Sequence, residues 1–503
     1  MDATNRTKAS TTPIVLCSAD LDSVDGHLTT DRELRQPETD CACADERVVT
    51  SPPRYEDTTL VSATPALHID DLPGSYKLVS SPRSQAGVVV LNQSAWTIFT
   101  QFHQPAPLNS VAAMGGSARE VAKRMVELGI LQPAGQPLVT ERALSETLTV
   151  WLHVTNECNL RCDYCFVSKT PDEMDFERGK QAIDAVARSA VRNGFRRIKL
   201  KYAGGEATLN FPLVVALHQY AGDLAARHGL KLEGIVLSNG VAIGSRVIRA
   251  LRASGIRLMI SLDGIGEHHD THRRFANGHG SFSRVARALD RLAQHGIKPS
   301  ISITLSRRNL SGLAATVEYL LERELPFTIN FYRENDCSAS FSDLAYHDEQ
   351  IIASMREAFA VIARRLPPYS LLGALLDRAR LDTPHDYPCG VGRSYMVIDH
   401  HGGVAKCHME IERTVTSVVV EDPLRLIRED REGVQNPAVA EKAGCRECAW
   451  RYWCAGGCPL LTYRVTGRYD VKSPNCRIYQ TLFPEVVRLE GLRLLKYSGL
   501  AGG

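Results

Sequence analysis

The sequence predicts an α/β protein whose central part is a partial barrel of six strand–helix units. Six strand-like runs alternate with amphipathic stretches over residues 148–332, a small strand–helix pattern precedes them, and a region rich in Cys and Gly follows residue 385. Alternating strands and helices indicate a parallel sheet covered by helices, because parallel strands need long crossover connections. Six units are too few for a closed eight-stranded barrel, so we expect an open one.

The composition excludes several classes of protein. The 503 residues are 44% hydrophobic and 23% charged, with a net charge of +2. Dispersed basic residues at this net charge argue against nucleic-acid binding. The sequence has no apolar run of about 18 residues that could span a membrane, and its first residues lack the apolar core of a signal peptide. We therefore expect a cytoplasmic protein without nucleic-acid or membrane partners.

The N-terminal part is predicted to contain an extension and a small folded module. Residues 1–70 are rich in Thr, Ser, Asp and Pro without an apolar period, which predicts a disordered extension. Cys41 and Cys43 lie there, and we interpret them as an idle surface pair, a ligand pair being the alternative. Residues 71–142 form the module, with strands predicted at Tyr76–Val79 and Val88–Leu91 and helices near Trp96 and Ser117–Leu128.

The barrel itself is predicted over residues 146–370, and a further helix at Asp348–Leu366 ends it. Apolar runs of strand length predict its six strands at Thr149–Val154, Arg197–Tyr202, Gly234–Leu237, Leu258–Leu262, Ser300–Leu305 and Phe327–Tyr332. Amphipathic spacing predicts covering helices at Phe176–Asn193, Pro212–His228, Ser245–Ser254 and Gly280–His295.

Three of the 14 cysteines follow the first barrel strand as a compact group, in the sequence CNLRCDYC. Cys158, Cys162 and Cys165 can bind three corners of a cubane 4Fe–4S cluster and leave the fourth iron without a protein ligand. Catalysis at a metal needs such an open position, because a substrate must coordinate there. A zinc site that lacks its fourth ligand is the alternative.

CNLRCDYC resembles the CxxxCxxC signature of the radical S-adenosylmethionine (SAM) superfamily, and four further motifs match in order. Gly204-Gly205-Glu206 resembles the GGE motif, with Ala207 where many relatives have Pro. Ser238-Asn239-Gly240 resembles the turn near the ribose, and the pattern continues with Ser261, Asp263 and Arg273. All follow predicted strands, where ligands gather in parallel α/β folds.

The resemblance implies a site and a chemistry. Cys158, Cys162 and Cys165 would be the catalytic cluster ligands, and SAM would chelate the open iron and be cleaved reductively to a 5′-deoxyadenosyl radical. An electron donor such as flavodoxin or ferredoxin would supply the electron. The implied SAM-binding residues are Gly204, Gly205, Glu206, Ser238, Asn239, Ser261, Asp263 and Arg273.

Seven more cysteines resemble the SPASM domain of peptide- and protein-modifying radical SAM enzymes, predicted here over residues 385–480 with a C-terminal helix at 481–503. The resemblance implies two auxiliary 4Fe–4S clusters, the nearer on Cys389, Cys407 and Cys458 and the farther on Cys445, Cys448, Cys454 and Cys476. The fourth ligand of the nearer cluster is left open among His385, Asp386, Cys337 or none. A structural zinc ribbon is the alternative.

The N-terminal module resembles PqqD-like winged-helix domains, which bind the leader of a precursor peptide as an added edge strand. The resemblance rests on the string LNQSAW, the helix pattern and the position before the barrel. A structural cap over the barrel is the alternative. Together the regions imply a maturase that crosslinks side chains of a ribosomally made peptide, with the auxiliary clusters accepting the second electron.

Two other enzymes share these parts. An anaerobic sulfatase-maturing enzyme would carry Asp after the second SPASM cysteine and Gln before GGE, where this chain has His408 and Ala203. A radical SAM dehydrogenase of small molecules would not need the N-terminal module. His268, His269 and His272 are interpreted as a solvated loop rather than a metal site.

Overall fold

The computed structural model describes residues 12–24, 55–84, 86–136 and 145–499. Its strands are β1 (Val15–Cys17), β2 (Leu60–Ala63), β3 (His68–Leu72), β4 (Tyr76–Ser80), β5 (Val88–Leu91), β6 (Ala106–Pro107), β7 (Leu131–Pro133), β8 (Thr147–Thr155), β9 (Arg197–Gly204), β10 (Lys231–Ser238), β11 (Arg257–Ser261), β12 (Ser300–Leu305), β13 (Phe327–Phe331), β14 (Tyr395–Ile398), β15 (Gly403–Ala405) and β16 (Thr414–Ser417).

Helices alternate with the strands through the central part of the chain. They are α1 (Ser18–Val24), α2 (Gln93–Thr100), α3 (Ala118–Glu127), α4 (Phe176–Arg192), α5 (Phe211–Arg227), α6 (Ser245–Ser254), α7 (Glu267–Asp270), α8 (Phe282–Gln294), α9 (Leu313–Glu322), α10 (Asp348–Arg364), α11 (Pro423–Glu429), α12 (Arg451–Cys454), α13 (Pro459–Thr466) and α14 (Cys476–Tyr497). Short 3-10 helices lie at Pro73–Ser75, Leu108–Met114, Ala207–Asn210, Leu310–Gly312, Asp336–Ser338, Ser342–Leu344, His408–Glu410 and Val439–Glu441.

One nine-stranded sheet organises the molecule, in the order β13-β12-β11-β10-β9-β8-β14-β15-β16. The six strands β8 to β13 are parallel and correspond to the six predicted ones. The predicted α/β class with a parallel sheet is confirmed, while closure into a partial barrel stays a prediction. The sequence did not predict that β14 extends this sheet, parallel to β8, with β15 and β16 antiparallel beyond it.

The helices pack on this sheet because each has one apolar face. α4 begins at the N-cap Asp175, whose carboxylate accepts from the backbone N–H of Arg178, and it buries a row of small and branched side chains. In α8 the buried residues Val285, Ala288, Leu289 and Leu292 recur at helical spacing. The loops after the strands lie at one edge of the sheet, where parallel strands bring their carboxyl ends together.

The N-terminal module has its own sheet, in the order β1-β5-β4-β3, and a core built on α2 and α3. Alternate side chains of this sheet face opposite ways: Val79 and Val89 enter the module core, whereas Leu78 and Val90 join the main core of the chain. Leu78 lies against α14 at Gly491, where an added Cβ would come within 2.7 Å of it. The module is therefore packed on the C-terminal helix.

The predicted disordered extension 1–70 is wrong where the structure describes it. Residues 12–24 form β1 and α1, and residues 55–70 contribute β2 and part of β3. β1 pairs antiparallel with β5, more than 70 residues away in the chain. Hydrophobic periodicity could not predict β1, because a strand of three residues is too short to show a period and its partner strand is distant in the sequence.

The C-terminal helix also differs from its predicted bounds. α14 begins at Cys476 rather than residue 481 and contains Pro484. Its buried residues join the main core, and Glu490 and Arg493 form a buried ion pair on it. No helix among the described residues is long and apolar enough to cross a membrane.

Candidate active site

A cavity of about 200 Å³ opens at the carboxyl ends of the parallel strands. Its lining contains ten of the eleven residues that the motifs predict for the first cluster and SAM: Cys158, Cys162, Cys165, Gly204, Gly205, Glu206, Ser238, Asn239, Ser261 and Arg273. These residues are spread over more than 100 positions of the chain and come from four strand ends. The fold brings them together because the four strands, β8 to β11, are neighbours in one sheet.

The three cysteines of the loop after β8 are free thiols, each near a hydrogen-bond donor. Lys169 Nζ lies 3.0 Å from Cys165 Sγ, Asn239 Nδ2 lies 3.8 Å from Cys158 Sγ, and Arg273 lies 4.0 Å from Cys162 Sγ. Burial raises the pKa of Cys162 to about 12, and Arg273 opposes that rise. Donors and cations beside sulfur stabilise thiolates, so this loop fits a cubane cluster with three cysteine ligands.

Two glycines after β9 allow the cysteine loop to approach. A Cβ on Gly204 would lie 2.3 Å from the carbonyl oxygen of Thr155, and a Cβ on Gly205 would lie 2.3 Å from that of Glu157. The backbone N–H of Gly205 donates to Thr155 at 2.7 Å, and the N–H of Glu206 donates to Glu157 at 2.8 Å. The backbone of the GGE motif therefore hydrogen-bonds to the segment that leads into the cysteine loop and packs closely against it.

Glu206 is buried, and its carboxylate is surrounded by donors. One oxygen accepts from the N–H and hydroxyl of Thr208 and from the Ser238 hydroxyl at 2.8 Å, and the other accepts from the N–H of Asn239 at 2.6 Å. Burial raises the pKa of Glu206, although these donors favour the charged form. Glu206 thereby ties the end of β9 to the end of β10 at the cavity wall.

Asp263 lies behind the cavity, unlike the other predicted residues. Its carboxylate accepts from Arg273 Nε at 2.6 Å, from the Tyr164 hydroxyl and from the N–H of Thr304 at 2.8 Å. Burial opposes its ionisation, but Arg273 and the hydrogen bond from Tyr164 favour the charged form and hold the pKa of Asp263 below its usual range. The structure thus makes Asp263 the residue that orients Arg273, which itself lines the cavity.

The interpretation of His268, His269 and His272 as a solvated loop is wrong for two of them. His269 and His272 are both 0% exposed. The N–H of Asp263 donates to His269 Nδ1 at 3.3 Å, His269 Nε2 lies 3.0 Å from the Ser281 hydroxyl, and His272 Nε2 lies 2.8 Å from that of Ser306. Ser281 is the N-cap residue of α8 and Ser306 directly follows β12, so the local sequence around the histidines could not reveal these two partners.

Because His269 is buried in its neutral form, we expect the free energy of unfolding to decrease at acidic pH. Burial lowers the pKa of His269 to about 3, with Asp263 opposing and Arg273 and His272 adding to the effect. The unfolded chain therefore binds this proton more readily, so stability is complete above about pH 6.5 and falls as the pH drops. We expect His269 to contribute a loss of about 2 kcal/mol between pH 6.5 and pH 5.

Thermal or urea unfolding at several pH values measures that loss. The variant His269→Asn keeps a polar side chain of similar reach but cannot titrate, so its unfolding free energy should depend less steeply on pH than that of the parent chain. An equal slope for the two proteins would contradict the assignment of the acid sensitivity to His269.

Cys389, Cys407 and Cys458 lie together near the cavity, in an apolar cluster with Trp151 and Tyr395. Burial raises the pKa of Cys389 to about 11 and that of Cys407 to about 12, and Arg378 opposes both shifts. Asn436 Nδ2 lies 3.8 Å from Cys389 Sγ. These three cysteines therefore share one environment with nearby cationic and amide donors, which fits an iron–sulfur cluster.

The other four SPASM-like cysteines line a second, smaller cavity. Its wall contains Cys445, Cys448, Cys454 and Cys476, the last at the start of α14. Burial raises the pKa of Cys454 to about 12, and its neighbouring cysteines raise it further. Lys442 is buried within electrostatic reach of cysteines of both sets and donates to the carbonyl of Ala455 at 2.7 Å.

Among the described residues, no group of three or more His, Cys, Asp or Glu side chains could hold a single metal ion. The candidates for the fourth ligand lie in different settings: His385 is buried with Nδ1 3.1 Å from the Thr383 carbonyl, and Cys337 is exposed. The ligand assignment of both SPASM-like sets stays a prediction. Cys41 and Cys43 lie outside the described residues.

Several cavity residues were missed by sequence reasoning. Trp151, Phe166, Lys169, Arg333, Arg378 and Met409 line it, and His408, noted before only for its place after Cys407, lines it too. His408 stacks on Trp151 at 4.6 Å between ring centroids, and the Tyr395 hydroxyl lies 3.1 Å from its Nδ1. Trp151 lies on β8, where successive side chains point to opposite faces of the sheet. Its position beside His408 depends on the parallel pairing of β8 with β14, which the sequence did not predict.

Comparison with known proteins identifies the central part of the chain. Residues 152–320 match the model of the Radical SAM superfamily. They are therefore a radical SAM domain, the catalytic domain of a superfamily of enzymes that use SAM and a 4Fe–4S cluster. The cysteine loop and the cavity described above fit both groups, and the zinc alternative for the first cysteines is set aside.

Curated relatives match different shares of the chain. An uncharacterized protein of Methanocaldococcus jannaschii is 30% identical over 34% of this chain and 57% of its own length. The Fe-coproporphyrin III synthase of Methanosarcina barkeri is 28% identical over 37% of this chain and 43% of its own. The chain thus spans about half the length of these relatives. The AdoMet-dependent heme synthase of the same organism is 26% identical over 65% of this chain and 95% of its own.

Solved structures resemble the chain over a larger part. A polyhistidine-tagged form of anSMEcpe with bound AdoMet superimposes with a TM-score of 0.56 at 16% identity, covering 70% of this chain and 98% of that one. Streptococcus suis SuiB bound to S-adenosylmethionine gives a TM-score of 0.50 at 12% identity, covering 83% of this chain and all of the other. At these identities the likeness establishes the fold alone.

Proposed function

We propose that the chain is a radical SAM peptide maturase, which cleaves SAM and oxidatively crosslinks side chains of a ribosomally made precursor peptide. When bound, SAM and the reduced 4Fe–4S cluster would supply a 5′-deoxyadenosyl radical that removes one hydrogen atom from the peptide. Cys158, Cys162 and Cys165 would hold that cluster. Flavodoxin or ferredoxin would serve as the electron donor.

The chain's own residues would orient SAM and exclude water. Gly204, Gly205, Ser238 and Asn239 line the cavity and would contact the methionine and ribose portions of SAM. Arg273, held by Asp263, presents its guanidinium to the cavity as a partner for the SAM carboxylate. The aromatic rings of Trp151 and Phe166 close the apolar side.

The observation that carries the proposal is that one cavity is lined by all three cysteines of the first set and by residues close to the second set. Cys158, Cys162 and Cys165 lie on one part of its wall, and His408, Met409 and Arg378 lie on another. His408 is adjacent in sequence to Cys407, and Arg378 acts on the pKa of both Cys407 and Cys389. A substrate in this cavity would therefore lie between a radical source and an electron acceptor. An oxidative crosslink needs both, because two electrons leave the peptide.

The N-terminal module supports a peptide as the substrate. Its meander β3-β4-β5 followed by α2 and α3 supplies sheet edges that an extended peptide can join. A solved radical SAM relative, anSMEcpe, binds a peptide together with AdoMet, and its fold matches this chain with a TM-score of 0.55. A small-molecule dehydrogenase would leave the module without a role.

One observation supports the alternative function of a sulfatase-maturing enzyme. The serine-type anaerobic sulfatase-maturating enzyme of Klebsiella aerogenes is 29% identical over 33% of this chain. The residue after Cys407 in this chain is the buried His408 rather than the aspartate that such enzymes carry there. An imidazole stacked on Trp151 is a different group from a carboxylate base, which favours the crosslinking maturase.

Anaerobic turnover with mass spectrometry separates these functions. The reconstituted chain, SAM and dithionite would be combined with peptides encoded by short reading frames beside its gene, and separately with a sulfatase-motif peptide. We expect a neighbouring peptide to lose two hydrogen atoms and to give linked fragments on tandem mass spectrometry. Formylglycine in the sulfatase peptide, with no change in the other peptides, would overturn the proposal.

A further inference from the structure

The N-terminal segment of the chain, residues 12–24, occupies one edge of the module's sheet. β1 pairs antiparallel with β5 in the register Val15↔Leu91, Leu16↔Val90 and Cys17↔Val89. Without this segment, β5 would be the exposed edge of a three-stranded sheet, next to α2 and α3. The chain thus adds a strand to its own module in the way that an extended peptide would.

Asn92 holds this segment through backbone atoms alone. Its side-chain oxygen accepts from the N–H of Ile14 at 3.0 Å, its side-chain NH₂ donates to the carbonyl of Thr12 at 2.9 Å, and its own N–H donates to the carbonyl of Ile14 at 3.2 Å. The same side-chain oxygen caps α2 by accepting from Ala95 at 3.0 Å. Backbone recognition of this kind accepts any extended sequence.

Three side chains add a sequence preference. The Ser18 hydroxyl is buried and accepts from the backbone N–H of Val88 at 3.2 Å. Cys17 is 1% exposed and enters the module core, so the position accepts a small apolar group. Asp20 pairs with Arg124 of α3 at 2.8 Å, between half-exposed side chains. The surface therefore favours a peptide that is extended up to a small apolar residue and then continues as a helix with an acid three positions later.

The other contacts that hold residues 12–24 on the module are weak. β1 has three residues, Val15 and Leu16 are only partly buried, and an exposed ion pair contributes about 0.2–1 kcal/mol. Residues 25–54 separate the segment from the next described part of the chain, so a released segment would stay tethered. Short edge strands with few buried groups open more readily than core elements.

We propose that residues 12–24 are an internal competitor of the substrate's leader: the leader binds the β5 edge in their place, clamped by Asn92. This inference rests on the proposed function and names the surface that the leader uses. A tethered segment competes at an effective concentration on the order of 1 mM. If the segment and the leader have similar affinities near 10 μM, the segment weakens the leader's binding by about 100-fold.

A chain that can be cut within residues 25–54 tests the competition without removing any contact. A specific protease site would be placed in that stretch, and a fluorescein-labelled synthetic peptide of residues 12–24 would be the probe in anisotropy titrations. We expect the intact chain to bind the probe about 100-fold more weakly than the cut chain, from which the native segment dissociates. A scrambled peptide of the same composition is the control.

Two receptor variants connect the binding to this edge. Asn92→Ser keeps a cap for α2 but loses the amide that contacts residues 12–14, so the cut variant should bind the probe about tenfold more weakly. Arg124→Ala should cost about two- to fivefold. A cut segment that co-elutes with the chain and never exchanges with the probe would show a fixed structural strand and overturn the proposal, as would equal binding by intact and cut chains.

The assay needs neither SAM nor reduction, so its outcome is separate from that of the turnover experiment. Exchange of the probe at this edge without any peptide modification would overturn the proposed function and leave the edge as a peptide-binding surface. Peptide modification by a chain whose segment never exchanges would overturn this inference alone.

Discussion

Replacing Gly205 with alanine is expected to abolish the cluster site while the N-terminal module stays folded. The added Cβ would lie 2.3 Å from the Glu157 carbonyl and 2.5 Å from that of Asn156, both backbone atoms of the segment that enters the cysteine loop. The loop must shift by about 1 Å, and misplacement on this scale costs about 100-fold in rate. We expect little iron to be retained at Cys158, Cys162 and Cys165, and 5′-deoxyadenosine formation to fall by about 100-fold or more.

Gly244→Ala is the matched control. A Cβ at Gly244 would meet nothing within 4 Å, and its backbone is not in the left-handed region. Iron content by colorimetry and 5′-deoxyadenosine by chromatography should be unchanged in this variant. A Gly205→Ala chain with the same iron content and the same SAM cleavage as the parent would contradict the role given to the close approach of the two backbones.

Neutralising Asp263 is expected to cost about 3–5 kcal/mol of folding free energy. In Asp263→Asn, Arg273 would remain buried without its counter-ion, since Asp263 is fully buried and Arg273 nearly so. The orientation of the guanidinium toward the cavity would be lost as well, so SAM affinity should fall together with stability. Urea unfolding and SAM binding by calorimetry measure the two effects.

An exposed pair provides the comparison for that variant. Arg425 and Glu429 pair at 2.9 Å on the surface of α11, with side chains that are 61% and 56% exposed. Because solvent screens this pair, Glu429→Gln should cost about 1 kcal/mol or less. The double variant Asp263→Asn/Arg273→Gln should recover part of the stability, because it removes the uncompensated charge. Equal losses for Asp263→Asn and Glu429→Gln would contradict the importance of the buried pair.

The sequence predicted the site better than its surroundings, for a physical reason. The motif residues lie at the ends of strands, and the order of parallel strands brings consecutive strand ends together, so Cys158, Gly205, Ser238 and Ser261 reach one cavity. Asp263 carries the next motif position but does not line the cavity, and it contacts Arg273 and Tyr164, which do. The direction of a side chain depends on local geometry that a motif does not record.

The rest of the cavity depends on contacts distant in sequence. Arg333 reaches the cavity from the segment after β13, and Arg378 reaches it from a segment beyond α10. β1 was predicted to be disordered because its order comes from pairing with β5 and from the amide of Asn92. Composition indicates whether a segment can fold by itself, whereas these residues are ordered by contacts with distant parts of the chain.

The central claim is that Cys158, Cys162 and Cys165 hold one 4Fe–4S cluster and that the C-terminal cysteines hold two more. Iron and sulfide analysis with EPR on anaerobically reconstituted chain, compared with Cys158→Ala/Cys162→Ala/Cys165→Ala, tests it most directly. We predict about twelve irons per chain, falling by about four in the triple variant, with loss of 5′-deoxyadenosine formation. About four irons with bound zinc would contradict the auxiliary clusters, and no iron after reconstitution would contradict the whole account.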